Sequence, residues 1–242
     1  MATAAGWTRR RNGLVAWRSA AAGPRLAGWA AARWTRGAAS HSRARRVAVV
    51  QSDIVASTVL LEAAGSRYPA LLVRHRRLIA SAVTCRGGRF LAHAGDGTLA
   101  VFDGVDAALL AAVEAQRALG GPQWPDGLVP RVRMGVHVGD VYEIDGEPVG
   151  LAIHHGARIM AAAHPGQIMV SPEAADAAEV AGVVGHKRGG LALADAGWHE
   201  LRDHCGQVRL RQVVADGLTV VLPATRDDVS DPETSLGRRH AG

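Results

Sequence analysis

Lysine is nearly missing from this chain: Lys187 stands alone among 28 basic side chains. Cysteine is scarce too. Cys85 and Cys205, the only two, lie far apart without metal-ligand spacing, which excludes a disulfide framework and a thiolate zinc site and predicts a reducing, cytoplasmic setting. No apolar run approaches the roughly 20 residues of a membrane span, and no signal-peptide core with a cleavage site is present. Acid is absent from the first 46 residues, which carry ten arginines, so the +6 of the whole chain leaves −4 for the remainder. Four of the six tryptophans, Trp7, Trp17, Trp29 and Trp34, fall in that basic leader. Interleaved Arg and Trp suit a weak contact with an anionic membrane surface or nucleic acid. Gly13, Gly23, Pro24, Gly28 and Gly37 interrupt any long helix there, so a disordered leader is the favoured reading.

What is present is a 242-residue chain with 48% apolar residues, enough for one buried domain and an appendage. The expected division is a leader over 1–46, a domain over 47–222 and a polar tail over 223–242. The organising stretch is Arg46 to Thr58, RVAVVQSDIVAST. Val47 to Val50 form a β-branched apolar run of the kind buried on both faces. Asp53 closes the strand, and the small or hydroxylated residues Ile54, Val55, Ala56, Ser57 and Thr58 lead into a helix. Such a corner offers amides to phosphate and a carboxylate to a cation. Taken alone, Asp53 reads first as an ordinary helix N-cap. A second stretch, RFLAHAGDGTLAVFD from Arg89 to Asp103, reads as a hairpin with Asp96 at its tip. Two carboxylates brought close together call for cations between them.

Elsewhere, Tyr68 to Val83 carries Leu71, Leu72, His75, Leu78, Ile79 and Val83 at helical spacing. Asp106 to Leu119 is a second helix, stopped by Gly120 and Gly121. Arg131 to Val138 alternates as a half-buried strand. Gly150 to Ala163 is helical, Gln167 to Ser171 a short strand, and Trp198 to Val214 a closing hairpin through Cys205 and Gly206. Between Glu173 and Gly197 no period is firm. Two strand–helix–strand repeats fit a sheet with helices on one side.

The order of SDIVAST, AGDGTLAVF, VRMGVHVGDVY, VGLAIHHGARIMAAAHPGQIMVS and WHELRDHCGQVRLRQVV resembles the catalytic domain of class III adenylate and guanylate cyclases, from about Ala48 to about Val214. The resemblance is nearest to divergent cyclase-like domains of bacterial multidomain regulators. It implies an α+β sandwich with a ferredoxin-like βαββαβ core sheet, and a phosphorus–oxygen lyase acting on ATP or GTP with two Mg²⁺ or Mn²⁺ ions. It implies a head-to-tail homodimer, or a heterodimer with another cyclase-like chain. Asp53 and Asp96 match the metal carboxylates, with the Ile54 backbone contributing, and residues 54–58 the phosphate turn. Arg133 matches a terminal-phosphate arginine and Arg158 the arginine that stabilises the transferring phosphate. Four residues before it, His154 replaces the usual ribose-orienting asparagine. The purine-reading positions correspond to Ala92, which has no polar atom, and Glu147. Those departures leave a second reading open, an inert dimerising or nucleotide-sensing relative, beside a third in which the leader makes the chain an adaptor.

Overall fold

The computed structural model describes residues 43–92, 95–121, 124–144, 147–185, 191–201 and 207–220. Residues 1–42 of the expected leader, the expected tail over 223–242 and the turn expected at Cys205 and Gly206 lie outside them. Strand β1, Arg45–Ile54, is buried over Val47 to Ser52. Helix α1, Ser57–Ala64, and helix α2, Tyr68–Cys85, follow it. Pro69 opens α2, where a missing amide costs nothing. Leu71, His75, Ile79, Ala82 and Val83 form its buried stripe at spacings of three and four. Strands β2, Arg89–Ala92, and β3, Thr98–Phe102, make the hairpin, and helix α3 covers Val105–Leu119.

Strand β4, Val132–Ile144, runs on past the expected Val138 and pairs with the short β5, Glu147–Val149. Helix α4, Leu151–Ala162, leads to β6, Ile168–Val170. Helix α5, Pro172–Val180, occupies part of the stretch where no period was firm, with the Ser171 hydroxyl accepting from the Ala174 amide as its cap. Strands β7, Ala192–Glu200, and β8, Gln207–Val214, close the sheet.

The sheet order is β2-β3-β1-β4-β6-β8-β7, with β5 paired to β4 outside that path. Its first four strands are mutually antiparallel, β2 on β3, β3 on β1 and β1 on β4, which is the expected βαββαβ core. Strand β6 then adds parallel to β4. Alternation along β1 assigns the two faces. Ala48, Val50 and Ile54 join the main core with residues of α2, α3 and α5, whereas Val47 and Val49 pack with Ala152 of α4. Helices therefore cover both faces, and the expectation of a single covered face is corrected by α4.

Candidate functional site

The β1–β3 ladder ends at Ser52 opposite Thr98, whose hydroxyl oxygens lie 2.6 Å apart in the core. One residue further along β1 is Asp53, and two residues before Thr98, in the turn between β2 and β3, is Asp96. Both carboxylates thus stand at one end of the sheet. Tyr68, at the start of α2, is in range of both. Its hydroxyl is pushed above the ordinary tyrosine range first by burial, then by the negative charge of Asp96, with a smaller push from Asp53, against a lowering by Arg76.

The N-cap alternative for Asp53 does not hold. The cap of α1 is Ala56, three residues later, and it makes no side-chain cap bond. Asp53 instead accepts from Arg133, its partner across the β1–β4 register, at 2.8 Å from Nη2 to Oδ2. Arg133 also donates from Nη1 to the Ala161 carbonyl near the end of α4, at 3.2 Å. Ile54 is buried in the main core, so only its backbone can serve the site. Val55 gives its amide to the Arg131 carbonyl at 2.7 Å. That bond removes one amide from the expected phosphate turn. The first-turn amides of α1 at Ser57 and Thr58 have no side-chain cap, which is the arrangement that receives an anion. Ala56 reaches this turn with φ of 54°, the one non-glycine residue with positive φ among the described residues, a conformation that costs an L-residue about 1–2 kcal/mol.

Asp96, unlike Asp53, has a buried oxygen with no partner. Its Oδ2 is buried and makes no hydrogen bond, a state a native structure seldom tolerates without a ligand. Two carboxylates and the Ile54 backbone oxygen form an all-oxygen ligand set that fits Mg²⁺ or Mn²⁺, which take few carboxylates and share their shell with substrate phosphates, and the open helix amides suit those phosphates. Among the described residues no group of three or more His, Cys, Asp or Glu side chains is placed to hold a metal ion. The fit is to a shared metal–phosphate site rather than to a closed protein cage.

Other expected residues are spread apart within one chain. His154, exposed, and the partly buried Arg158 lie four residues apart on α4, one turn along the same face. Ala92 ends β2 opposite Thr98, beside the carboxylate end. Glu147 opposes Ile144 at the far end of β4 from Arg133. The two purine-reading positions are therefore on separate strands of this chain.

Sequence reasoning did not assign roles to Tyr68, His75 and Arg76, which α2 turns toward Asp96. Arg76 donates to the Gly95 carbonyl, next to Asp96. His75 is fully buried with neither ring nitrogen hydrogen-bonded. Burial lowers its pKa to about 4, against an opposing push from the Asp96 charge. The visible signal was a lone imidazole in an apolar helical stripe. Because His75 takes up a proton near pH 6.5 when unfolded but only near pH 4 in the fold, the unfolded state binds more protons between those values. Stability is then expected to fall by about 2 kcal/mol from pH 7 to pH 5, and a His75→Phe chain should lose less over that interval in urea titrations.

No family model matches the chain. A curated Rhizobium meliloti protein, "Putative adenylate cyclase 3", is 27% identical over 164 residues, which are 66% of this chain and 27% of that protein. The chain thus spans about a quarter of that relative's length. An adenylate/guanylate cyclase/hydrolase structure from Silicibacter pomeroyi is 28% identical, with a TM-score of 0.58 over 72% of this chain and 99% of that one. The guanylate cyclase domain of RhGC from Catenaria anguillulae, solved with GTP, is 19% identical with a TM-score of 0.60, over 71% and 97%. With the strand order and the placement of its motifs, these likenesses give the chain the catalytic-domain fold of the class III adenylate and guanylate cyclases.

Proposed function

We propose that this chain is a purine nucleotide cyclase module, converting ATP or GTP to the 3′,5′-cyclic nucleotide and pyrophosphate at the interface of two head-to-tail copies. The ribose 3′-oxygen attacks the α-phosphorus and loses its proton. The bond from that phosphorus to the bridging oxygen breaks, and pyrophosphate leaves. Divalent ions at Asp53 and Asp96 would supply charge neutralisation to the attacking oxygen and the triphosphate. The turn from Ile54 to Thr58 receives phosphate through its open amides at Ser57 and Thr58. Arg158 of the second copy meets charge on the transferring phosphate, a task suited to a planar fork of donors. His154 beside it offers one ring donor to the ribose. Ala92 supplies no hydrogen bond to a base edge, so base selection is relaxed and rests on Glu147.

The observation that carries this reading is the orphaned, buried Oδ2 of Asp96 at the same sheet end as Asp53. Arg133 has a double position here. Its guanidinium pairs with Asp53; with triphosphate bound it would turn to the terminal phosphates, leaving the Asp53 carboxylate to hold a cation. The same ion pair favours the second reading, in which Asp53 stays committed to Arg133 and the module senses or dimerises without turnover. Among the described residues no helix is long and apolar enough to cross a membrane.

Incubating the purified chain with ATP or GTP and Mn²⁺, next to an Asp53→Ala control, separates the two readings. Cyclic nucleotide well above the control is the expected result. Equal, background-level product from both proteins would leave the non-catalytic module as the function.

A further inference from the structure

We propose that His75 is a positioning residue for Asp96, giving its ring N–H to the carboxylate through one bridging water and so aiming Asp96 at the cation. The inference rests on the metal corner proposed above. Three observations meet at this point of the fold. His75 is fully buried on α2, and both of its ring nitrogens are without hydrogen bonds. Asp96 presents a buried Oδ2, equally without a partner, from the turn that α2 faces. Arg76, the next residue of the helix, is bonded to the carbonyl of Gly95, the residue before Asp96, which ties that stretch of α2 to that turn.

Polarity makes the pairing specific. A neutral imidazole has one N–H donor and one acceptor nitrogen, and a carboxylate only accepts. The missing interaction on the Asp96 side is therefore a donor, which a bridging water supplies when it accepts from the His75 N–H. The two groups are close enough for the Asp96 charge to act on the imidazole. A water that accepts from the ring N–H and donates to one lone pair of Oδ2 pairs those two atoms and leaves the other lone pairs of the carboxylate for the cation, as buried waters do at polar sites with no protein partner. Carboxylates that bind metal are oriented by such outer hydrogen bonds, and losing one typically weakens the metal about 10- to 100-fold. A histidine kept only for packing would leave metal affinity untouched by an apolar ring of similar size.

The test is Mn²⁺ binding by the full chain, followed through the electron paramagnetic resonance of the free ion, which needs no turnover. Wild type, His75→Phe, His75→Gln and Asp96→Asn are compared. Asp96→Asn should lose the site, His75→Phe should weaken it about tenfold or more, and His75→Gln, whose amide keeps a donor, should stay within about threefold of wild type. A His75→Phe affinity within about twofold of wild type, while Asp96→Asn loses binding, overturns the positioning role alone. Binding that is absent in wild type or unchanged in Asp96→Asn overturns the metal corner, and His75 with it. If His75→Phe does not fold, the unmutated chain decides through its imidazole ¹⁵N spectrum, assigned against His75→Gln. A His75 N–H resonance that moves on adding Mg²⁺ supports the bridge, and one that ignores Mg²⁺ overturns it.

Discussion

An equimolar mixture of Asp53→Ala and Arg158→Ala chains is expected to turn over nucleoside triphosphate at about a quarter of the wild-type rate, although each variant alone is close to inactive. The fraction follows from twofold symmetry. Random pairing makes half of the dimers mixed, and a mixed dimer keeps one intact site of its two, because the defective carboxylate and the defective arginine fall in the same site. The basis in the fold is the separation of the parts. Asp53, next to the end of β1, pairs with Arg133, while the exposed His154 and the partly buried Arg158 lie one turn apart on α4, and Glu147 stands at the other end of β4. Under the proposed shared interface, one chain presents the two halves of a site at different places. Removing Arg158 alone should cost about 10²- to 10³-fold in turnover, the usual effect of losing one donor to a developing charge, and should leave Mn²⁺ affinity nearly unchanged. Removing Asp53 should lower metal affinity as well. If both single variants are inactive, the wild type is active and the mixture stays dead, the shared-interface arrangement is wrong.

Much of this arrangement could be read from residue order, for reasons that also explain what could not. The β-branched run of β1 and the Gly-Asp-Gly turn are local signals, and both carboxylates were placed at strand ends from them. The partner of Asp53 was not visible, since Arg133 is 80 residues away and only the β1–β4 register brings them together. Helix α5 went unread because its buried positions are alanines, Ala174, Ala175 and Ala178, whose short side chains give a weak apolar signal. Strand β7 was expected to begin only at Trp198. A bulge between Asp195 and Gly197 shifts the alternation of side chains, and a period of two cannot be followed across it. The covering of both sheet faces was missed for a different reason. Periodicity tells which side of α4 is apolar, but the choice of sheet face is set by the path from β5 back to β6.

That choice of face leads to the second large effect, at Gly135. A β-carbon added there would lie 2.4 Å from the Met160 nitrogen, 2.8 Å from the Met160 α-carbon and 2.9 Å from the Gly156 carbonyl oxygen, all backbone atoms of α4. A side chain in the way can rotate aside, whereas a helix backbone has to move bodily. On the opposite side of the same contact, Gly156 lets α4 approach β1, where Gln51 donates to the Ile153 carbonyl at 2.6 Å. Gly135→Ala is therefore expected to destabilise the domain by about 2–4 kcal/mol, in the upper range of overpacking costs, which lowers the melting temperature by roughly 5–15 °C at this chain length. Gly120→Ala is the matched control. Gly120 has φ of −75°, and a β-carbon there meets only carbonyl oxygens at 3.5 and 3.7 Å, so its melting temperature should stay within about 2 °C. The consequence for chemistry is as large as that for stability. Helix α4 carries His154 and Arg158, and its Ala161 carbonyl holds Arg133, so pushing it off the sheet displaces the groups proposed for ribose, transferring phosphate and terminal phosphates together. A Gly135→Ala chain that melts with the wild type would show that α4 has room to retreat, and that its tight seat on β4 does not set where those groups stand.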